Sequence, residues 1–160
     1  MVARILRTVS NSGLAGGVVV GSEMSGSVSH IFAENCTMDS PHLERAVRIK
    51  TNSVRGGMVE HVYVRDIDVV QVKEAILKVN MFYATERDTY IPSISNISLE
   101  NVQAEKSEYG VWIEAYENKP AKNIILKDCE FNHIEKGNHI ENAENLIFDN
   151  VKINGELVEL

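Results

Sequence analysis

Long apolar runs, prolines and linker-like segments are absent or rare in this chain of 160 residues. No run of apolar residues approaches the ~20 needed to cross a bilayer, so we expect no membrane-spanning segment. Residues 1–7 carry arginines but lack the apolar stretch of a secretory signal, so we expect no signal peptide. With three prolines, ten glycines and no Ser/Gly-rich segment, the sequence predicts one domain over residues 1–160.

The composition is that of a folded, acidic protein. Hydrophobic residues make up 44% of the chain and charged residues 24%, which is ordinary for a globular domain. A formal net charge of -7 argues against general affinity for nucleic acid. The five histidines are scattered along the sequence, so we predict neither a metal site nor a cofactor.

One pattern of alternating apolar residues and Asn, Asp or His recurs five times. The copies cover residues 28–36, 59–67, 94–102, 121–129 and 143–151. Their equivalent polar positions are His30, His61, Asn96, Asn123 and Asn145. Asn and Asp suit tight corners because they tolerate left-handed backbone angles, and we interpret the two histidines as corner residues too. A repeat of this irregular length indicates stacked coils whose loops vary.

A second alternating segment follows each of the first four copies, at residues 46–51, 75–81, 110–115 and 138–141. Short strands joined at Asn, Asp or Gly corners are typical of a parallel β-helix, and we predict an all-β solenoid of this kind with about five to six coils. A β-sandwich also has short strands, but it would not repeat the same residue type at the same corner. Residues 69–83 also fit a helical spacing, although the repeat favours a strand at 75–81.

The two cysteines fall on the same inward position of the repeat. Cys36 and Cys129 are equivalent to Ile67, Val102 and Val151. Because they lie three coils apart, at roughly 14 Å, they are too distant for a disulfide. We therefore predict two buried free thiols that pack as small apolar residues.

The segment 45–51 is an alternating strand with two cations on one face. Arg48 and Lys50 share the outward face, about 7 Å apart along the strand, while Val47 and Ile49 point inward. Such a pair in an acidic chain predicts a site for a carboxylate or phosphate. The alternative is an exposed strand that is kept soluble by its charges.

Stacking in register places equivalent residues in vertical columns. One outward column is predicted to contain Val19, Arg48, Lys78, Trp112 and His139, and the other Gly21, Lys50, Asn80, Glu114 and Glu141. The cations Arg48, Lys50 and Lys78 would then cluster on adjacent coils, near an exposed indole that suits the apolar face of a sugar. Glu114 and Glu141 would lie about 5 Å apart, a spacing that retaining glycosidases use, although neighbouring carboxylates are also common on exposed sheets.

Several of these residues closely resemble the polygalacturonase family of pectin-degrading enzymes, glycoside hydrolase family 28. The resemblance rests on the segment 16–26, on the repeat with Asn35, and on Arg48-Ile49-Lys50-Thr51. It implies a right-handed parallel β-helix and inverting hydrolysis of α-1,4 bonds between galacturonate units. It also implies that Arg48 and Lys50 bind the substrate carboxylate and that Tyr83 helps to hold the sugar. With their neighbours Lys78 and Asn80, these residues form the predicted substrate-binding set.

The departures from that family concern catalysis. The family's Asn-Thr-Asp motif and Asp-Asp pair do not occur in this sequence, and Ala15 stands where the family has a histidine. Inverting hydrolysis needs a general acid and a general base about 6.5 to 9.5 Å apart. The resemblance therefore implies the C-terminal part of a longer β-helix that is inactive alone, with no catalytic residue of its own.

Three functions remain open from the sequence. The first is a fragment or degenerate relative of a pectin hydrolase, which in an intact protein would be secreted or periplasmic. The second is a module that binds acidic polysaccharide or oligogalacturonate without cutting it. The third is a structural β-helix that self-associates through a β edge at its first coil, residues 5–9.

Overall fold

The structure is a computed structural model that describes residues 3–6, 17–22, 26–83 and 89–160. All the regular elements in these ranges are β-strands. They are β1 (Ala3–Leu6), β2 (Val18–Val20), β3 (Ser27–Asp39), β4 (Arg45–Lys50), β5 (Met58–Gln71), β6 (Ala75–Asn80), β7 (Ser93–Ala104), β8 (Tyr109–Glu114), β9 (Ala121–Phe131), β10 (His139–Glu141), β11 (Ala143–Ile153) and β12 (Glu156–Val158). In the part of the chain that these ranges cover, no helix is long and apolar enough to span a membrane.

The strands form two sheets that share one interior. The seven-stranded sheet has the order β1-β3-β5-β7-β9-β11-β12, and the five-stranded sheet has the order β10-β8-β6-β4-β2. Neighbours are parallel throughout except β11 and β12, which pair as an antiparallel hairpin. Alternation between two parallel sheets, one coil after another, makes the chain a right-handed parallel β-helix, as predicted.

Each long strand bends at two corner residues. In β3, β5, β7, β9 and β11 these residues have φ between 50° and 57°; they are His30, Asn35, His61, Asp66, Asn96, Asn101, Asn123, Asp128, Asn145 and Asn150. The corners stack from coil to coil. Asn123 Nδ2 donates to Asn96 Oδ1 at 3.0 Å, and Asn145 Nδ2 donates to Asn123 Oδ1 at 2.7 Å. The predicted role of Asn, Asp and His as corner residues is confirmed.

Inward side chains from both sheets fill the interior. Equivalent positions such as Ile31, Val62, Ile97 and Ile124 are each 5% exposed or less. Cys36 pairs in register with Ile67, and Cys129 with Val151; both thiols are buried and free, as predicted. Such stacked apolar columns are the main source of stability in a solenoid, because each coil buries its apolar face against its neighbours.

Two finer expectations have different outcomes. The strand at 75–81 is confirmed, since β6 covers Ala75–Asn80 and residues 69–71 belong to β5 rather than to a helix. Of the predicted first-coil strand at residues 5–9, residues 5–6 belong to β1 (Ala3–Leu6), which pairs with β3, and residues 7–9 lie outside the described residues.

Candidate functional site

The outward face of the five-stranded sheet brings the predicted columns together. Strand register aligns Val19 with Arg48, Arg48 with Lys78, Lys78 with Trp112, and Trp112 with His139. The second column follows from Lys50 to Asn80, Glu114 and Glu141. Gly21 adjoins this column at φ 95°, where an added Cβ would lie 1.8 Å from the Lys50 carbonyl oxygen. Only glycine fits so close to the backbone of β4.

Arg48 and Lys50 converge on one aromatic ring. The guanidinium carbon of Arg48 lies 5.1 Å from the centroid of the Tyr83 ring, and Lys50 Nζ lies 4.3 Å from it. The backbone N–H of Tyr83 donates to the Thr51 carbonyl at 3.0 Å, which fixes the ring beside the end of β4. These distances are within the range of cation–π attraction, so the ring holds both cations on the same part of the surface.

The charges of Arg48 and Lys50 are not neutralised within the ranges that the structure describes. Neither side chain forms an ion pair with a carboxylate there, and Arg48 Nε is buried without a hydrogen-bond partner. Burial lowers the pKa of Arg48, and the neighbouring Arg45 lowers it further. A guanidinium nevertheless stays protonated in a protein. The pair therefore presents two positive charges that an anion would satisfy.

Lys78 occupies its predicted column position, but its charge is already paired. Its ammonium bonds to the Glu74 carboxylate, which also bonds to Arg45, and it lies 4.4 Å from the centroid of the Trp112 ring. The side chain is buried rather than exposed. The three predicted cations thus lie on adjacent coils, two of them unneutralised and the third paired with Glu74.

Glu74 is the functional-face residue that the sequence did not reveal. It precedes β6 and falls outside the repeat pattern, and its four-residue spacing from Lys78 would in an extended strand separate the Cα atoms by about 13 Å. In the structure its carboxylate nevertheless bonds to both Lys78 and Arg45. No local sequence signal predicts that contact.

Asn80 is also engaged by its neighbours. Its Nδ2 donates to Glu114 Oε2 at 2.7 Å, and its Oδ1 accepts from the Phe82 backbone N–H at 2.8 Å. The first bond links β6 to β8 across the face, and the second fixes the chain just before Tyr83. Asn80 therefore connects the cationic and acidic parts of the sheet.

Trp112 is not the freely exposed platform that the sequence suggested. The Lys78 ammonium covers its ring from β6, and the His139 ring lies 4.4 Å away on β10. Tyr109 contacts it edge-on at 4.5 Å. The indole is therefore half-buried between neighbours on both sides along the column.

The acidic end of the face is organised around His139. Its Nε2 lies 3.9 Å from Glu114 Oε1 and 3.4 Å from Glu141 Oε1. The two glutamates are adjacent in register, as predicted, with the imidazole between them. No group of three His, Cys, Asp or Glu side chains positioned to hold a metal ion occurs in the described ranges.

The fold and this face define a class of protein, a parallel β-helix that carries a pair of unneutralised cations on one sheet. The model of glycosyl hydrolases family 28 matches residues 6–154, which include every residue of the face. The chain belongs to glycosyl hydrolases family 28.

Three known proteins show how far the similarity extends. A probable polygalacturonase of Vitis vinifera is 27% identical over 115 residues, which are 69% of this chain and 23% of the relative. A polygalacturonase of Ralstonia nicotianae is 30% identical over 97 residues, which are 59% of this chain and 18% of the relative. The crystal structure of a hyperthermoactive exopolygalacturonase from Thermotoga maritima superimposes with a TM-score of 0.82 at 35% identity, over 89% of this chain and 31% of that one. The chain spans less than a third of the length of these relatives.

Proposed function

We propose that this chain is a uronate-binding part of a polygalacturonase-like hydrolase, folded as one β-helical domain. Arg48 and Lys50 bind the carboxylate of a galacturonate unit, and Tyr83 holds both cations in place. The observation that carries this proposal is the convergence of two unneutralised cations on the Tyr83 ring. A planar guanidinium beside an ammonium matches a carboxylate, because charge-assisted hydrogen bonds of this kind are about twice as strong as neutral ones.

Lys78 and Asn80 act in this proposal as supports for the site. Lys78 is fixed by Glu74 and packs on Trp112, while Asn80 connects Glu114 to the backbone before Tyr83. Both side chains border the position of the bound carboxylate. Rigid neighbours matter because a binding group that is already held in place loses less conformational entropy when the ligand arrives.

The chain by itself is proposed to bind without cutting. Inverting hydrolysis requires an acid that protonates the leaving oxygen and a carboxylate that activates water. The two acidic motifs that the family resemblance would supply do not occur in the 160 residues. The acidic polysaccharide pectin, or its oligogalacturonates, is the proposed ligand, and an extracellular or periplasmic site of action follows from it.

A structural role is the second candidate. In the part of the chain with described coordinates, β1 and β2 are outermost strands of the two sheets, each with one neighbour. Unpaired backbone groups on such edges invite another strand. Self-association through this edge is separable from ligand binding, because a concentration series in analytical ultracentrifugation reports it directly.

Binding and cleavage are measured together in the first experiment. Oligogalacturonate is titrated calorimetrically into the purified chain, and reducing ends are assayed on polygalacturonate. We expect saturable binding and no release of reducing ends. Arg48→Gln should weaken binding by about 10- to 100-fold, which corresponds to the loss of charge-assisted hydrogen bonds of about 1.5 to 3 kcal/mol.

The matched control is Arg55→Gln. Arg55 is an exposed arginine in the loop that follows β4, so its loss changes the net charge by the same amount. We expect its affinity to stay within about twofold of the unmodified chain, since exposed charges off the site contribute little. Equal weakening in both variants would show that binding follows net charge alone, and measurable cleavage would overturn the binding-only proposal.

A further inference from the structure

The outward face of the five-stranded sheet changes sign along the helix axis. Its two unneutralised cations, Arg48 and Lys50, are both on β4, whereas Glu114 and Glu141 are on β8 and β10 of the same face. At about 4.8 Å per strand, Glu114 lies roughly 10 Å and Glu141 roughly 14 Å from Lys50 along the axis. A ligand longer than one sugar therefore extends from one charge environment into another.

The acidic end has only weak internal compensation. Glu114 accepts a hydrogen bond from the neutral amide of Asn80 at 2.7 Å, and Glu141 contacts only His139 among the charged groups of the described ranges. No lysine or arginine of those ranges pairs with either carboxylate. Both therefore present negative charge to whatever occupies β8 and β10.

We propose that this face accepts a free carboxylate at Arg48 and Lys50 and an uncharged sugar unit over β8 and β10. That unit is either a uronate whose carboxyl group is esterified or a neutral sugar. The inference rests on the proposed function, because it assumes that a uronate carboxylate occupies the β4 site. It assigns Glu114 and Glu141 a role in specificity, since like charges repel a second free carboxylate whereas an ester carries no charge.

The positions of Asn80 and His139 support this division of the face. Asn80 holds Glu114 Oε2, so this carboxylate cannot turn away from the face without losing a hydrogen bond. His139 Nε2 lies 3.9 Å from Glu114 Oε1 and 3.4 Å from Glu141 Oε1, and one imidazole, which carries at most one positive charge, cannot neutralise both carboxylates. A second free carboxylate would meet at least one glutamate that nothing neutralises.

The test compares trigalacturonate with three free carboxylates and trigalacturonates with one free carboxylate, the other two being methyl esters. Affinities are measured calorimetrically at neutral pH. We expect at least one of the mono-acid trimers to bind about tenfold more tightly than the tri-acid. The double variant Glu114→Gln/Glu141→Gln should remove this preference by strengthening tri-acid binding about tenfold. The control Glu100→Gln/Asp149→Asn, on the other sheet, should leave the preference unchanged.

The outcomes separate this inference from the function on which it rests. If no trimer binds, the uronate site itself is wrong. If the mono-acid trimers and the tri-acid bind equally and more tightly than a fully esterified trimer, or if the tri-acid binds most tightly and the double variant changes nothing, the uronate site stands and the assignment of β8 and β10 is overturned. If the fully esterified trimer binds as tightly as the others, the uronate site itself is wrong. A fully esterified trimer serves as the check that one free carboxylate is needed.

Discussion

The two sheets of the β-helix arrange their surface charges in opposite ways. One outward column of the seven-stranded sheet alternates in sign from coil to coil, through Glu34, Arg65, Glu100, Lys127 and Asp149. Within it, Arg65 binds Glu34 at 2.6 Å, and this contact raises the pKa of Arg65. In the five-stranded sheet, unneutralised cations occupy β4 and carboxylates occupy β8 and β10.

The difference separates stabilising charges from binding charges. Opposite charges directly across neighbouring strands stabilise a sheet by about 0.2 to 1 kcal/mol per pair, so alternation lets each residue satisfy the next. Segregation gives up that stabilisation, because like charges become neighbours. Charges that the fold does not neutralise are available to a molecule outside the chain, and in this protein they concentrate on the sheet with Tyr83.

The largest contrast is expected between Glu74→Gln and Glu34→Gln. Glu74 forms ion pairs with Arg45 and Lys78, whose side chains are 13% and 10% exposed. Glu34 pairs with Arg65, whose side chain is 59% exposed. Removing Glu74 leaves the poorly hydrated Lys78 ammonium without its carboxylate, while Arg45 keeps Glu44, so we expect a loss of about 2 to 3 kcal/mol in the free energy of unfolding. Glu34 is itself only 10% exposed, but Glu34→Gln should cost less, about 1 kcal/mol, because water solvates the guanidinium of Arg65 that it releases.

Urea unfolding of both variants measures this contrast. An unchanged slope with urea concentration would assign the shift in midpoint to stability rather than to the unfolded state. Glu74→Ala serves as a second variant, in which the packing of the side chain is lost as well. Equal costs for Glu74→Gln and Glu34→Gln would show that burial of the partner cations does not distinguish the two sheets.

A second prediction concerns the interior that both sheets share. Burial raises the pKa of the Cys129 thiol to about 11, from 9.0. Below pH ~9 the thiol is neutral in both states, but between pH ~9 and ~11 it ionises only in the unfolded chain, so stability falls as the pH rises through that window. Cys129→Val should remove this part of the fall, up to about 2 to 3 kcal/mol at its alkaline end.

Chemical denaturation across that pH range, with both proteins side by side, measures the effect. Valine is a suitable replacement because the register partner Val151 occupies the same inward position on the next coil. The two proteins share every other titratable group, so the difference between the curves isolates the thiol. Parallel curves would contradict the prediction.

Much of this fold could be predicted from the sequence because its constraints are local and repeat. A corner needs a residue that tolerates positive φ, so the recurrence of residues such as Asn96 and Asn123 in the sequence indicates where the chain bends. Once the corners are fixed, register follows by counting, and Arg48, Lys78 and Trp112 fall in one column. Residues 69–83 also fit a helical spacing, but the repeat correctly predicted a strand at 75–81.

It was harder to predict which charges of the five-stranded sheet are neutralised by other residues of the chain. Column membership does not determine which way a long side chain turns or what it meets. Lys78 bonds to Glu74, a residue outside the repeat, and its ammonium lies over the Trp112 ring. The sequence predicted the positions of the three cations and of the indole, but not this contact, which neutralises Lys78 and covers the indole. Tyr83, by contrast, was placed by family resemblance, and the structure adds its contacts with Arg48 and Lys50.

The smallest effect is expected when the alternating column is broken on the seven-stranded sheet. Lys127→Glu places three carboxylates in succession, between Glu100 and Asp149, and should cost about 0.5 to 1 kcal/mol at low salt. Because these residues are exposed, screening should reduce the cost at high salt. The control Lys127→Gln removes the cation without adding an acid and should cost less.

The matching change on the five-stranded sheet is Lys50→Gln. It removes a cation beside Arg48, a like charge on the same strand, so stability should stay equal or rise slightly while oligogalacturonate affinity falls. Urea midpoints at low and high salt measure both sheets in one experiment. If Lys50→Gln destabilises the chain as much as Lys127→Glu does, the cations of β4 are stabilising charges after all. A salt-independent cost for Lys127→Glu would equally remove the electrostatic explanation of the alternating column.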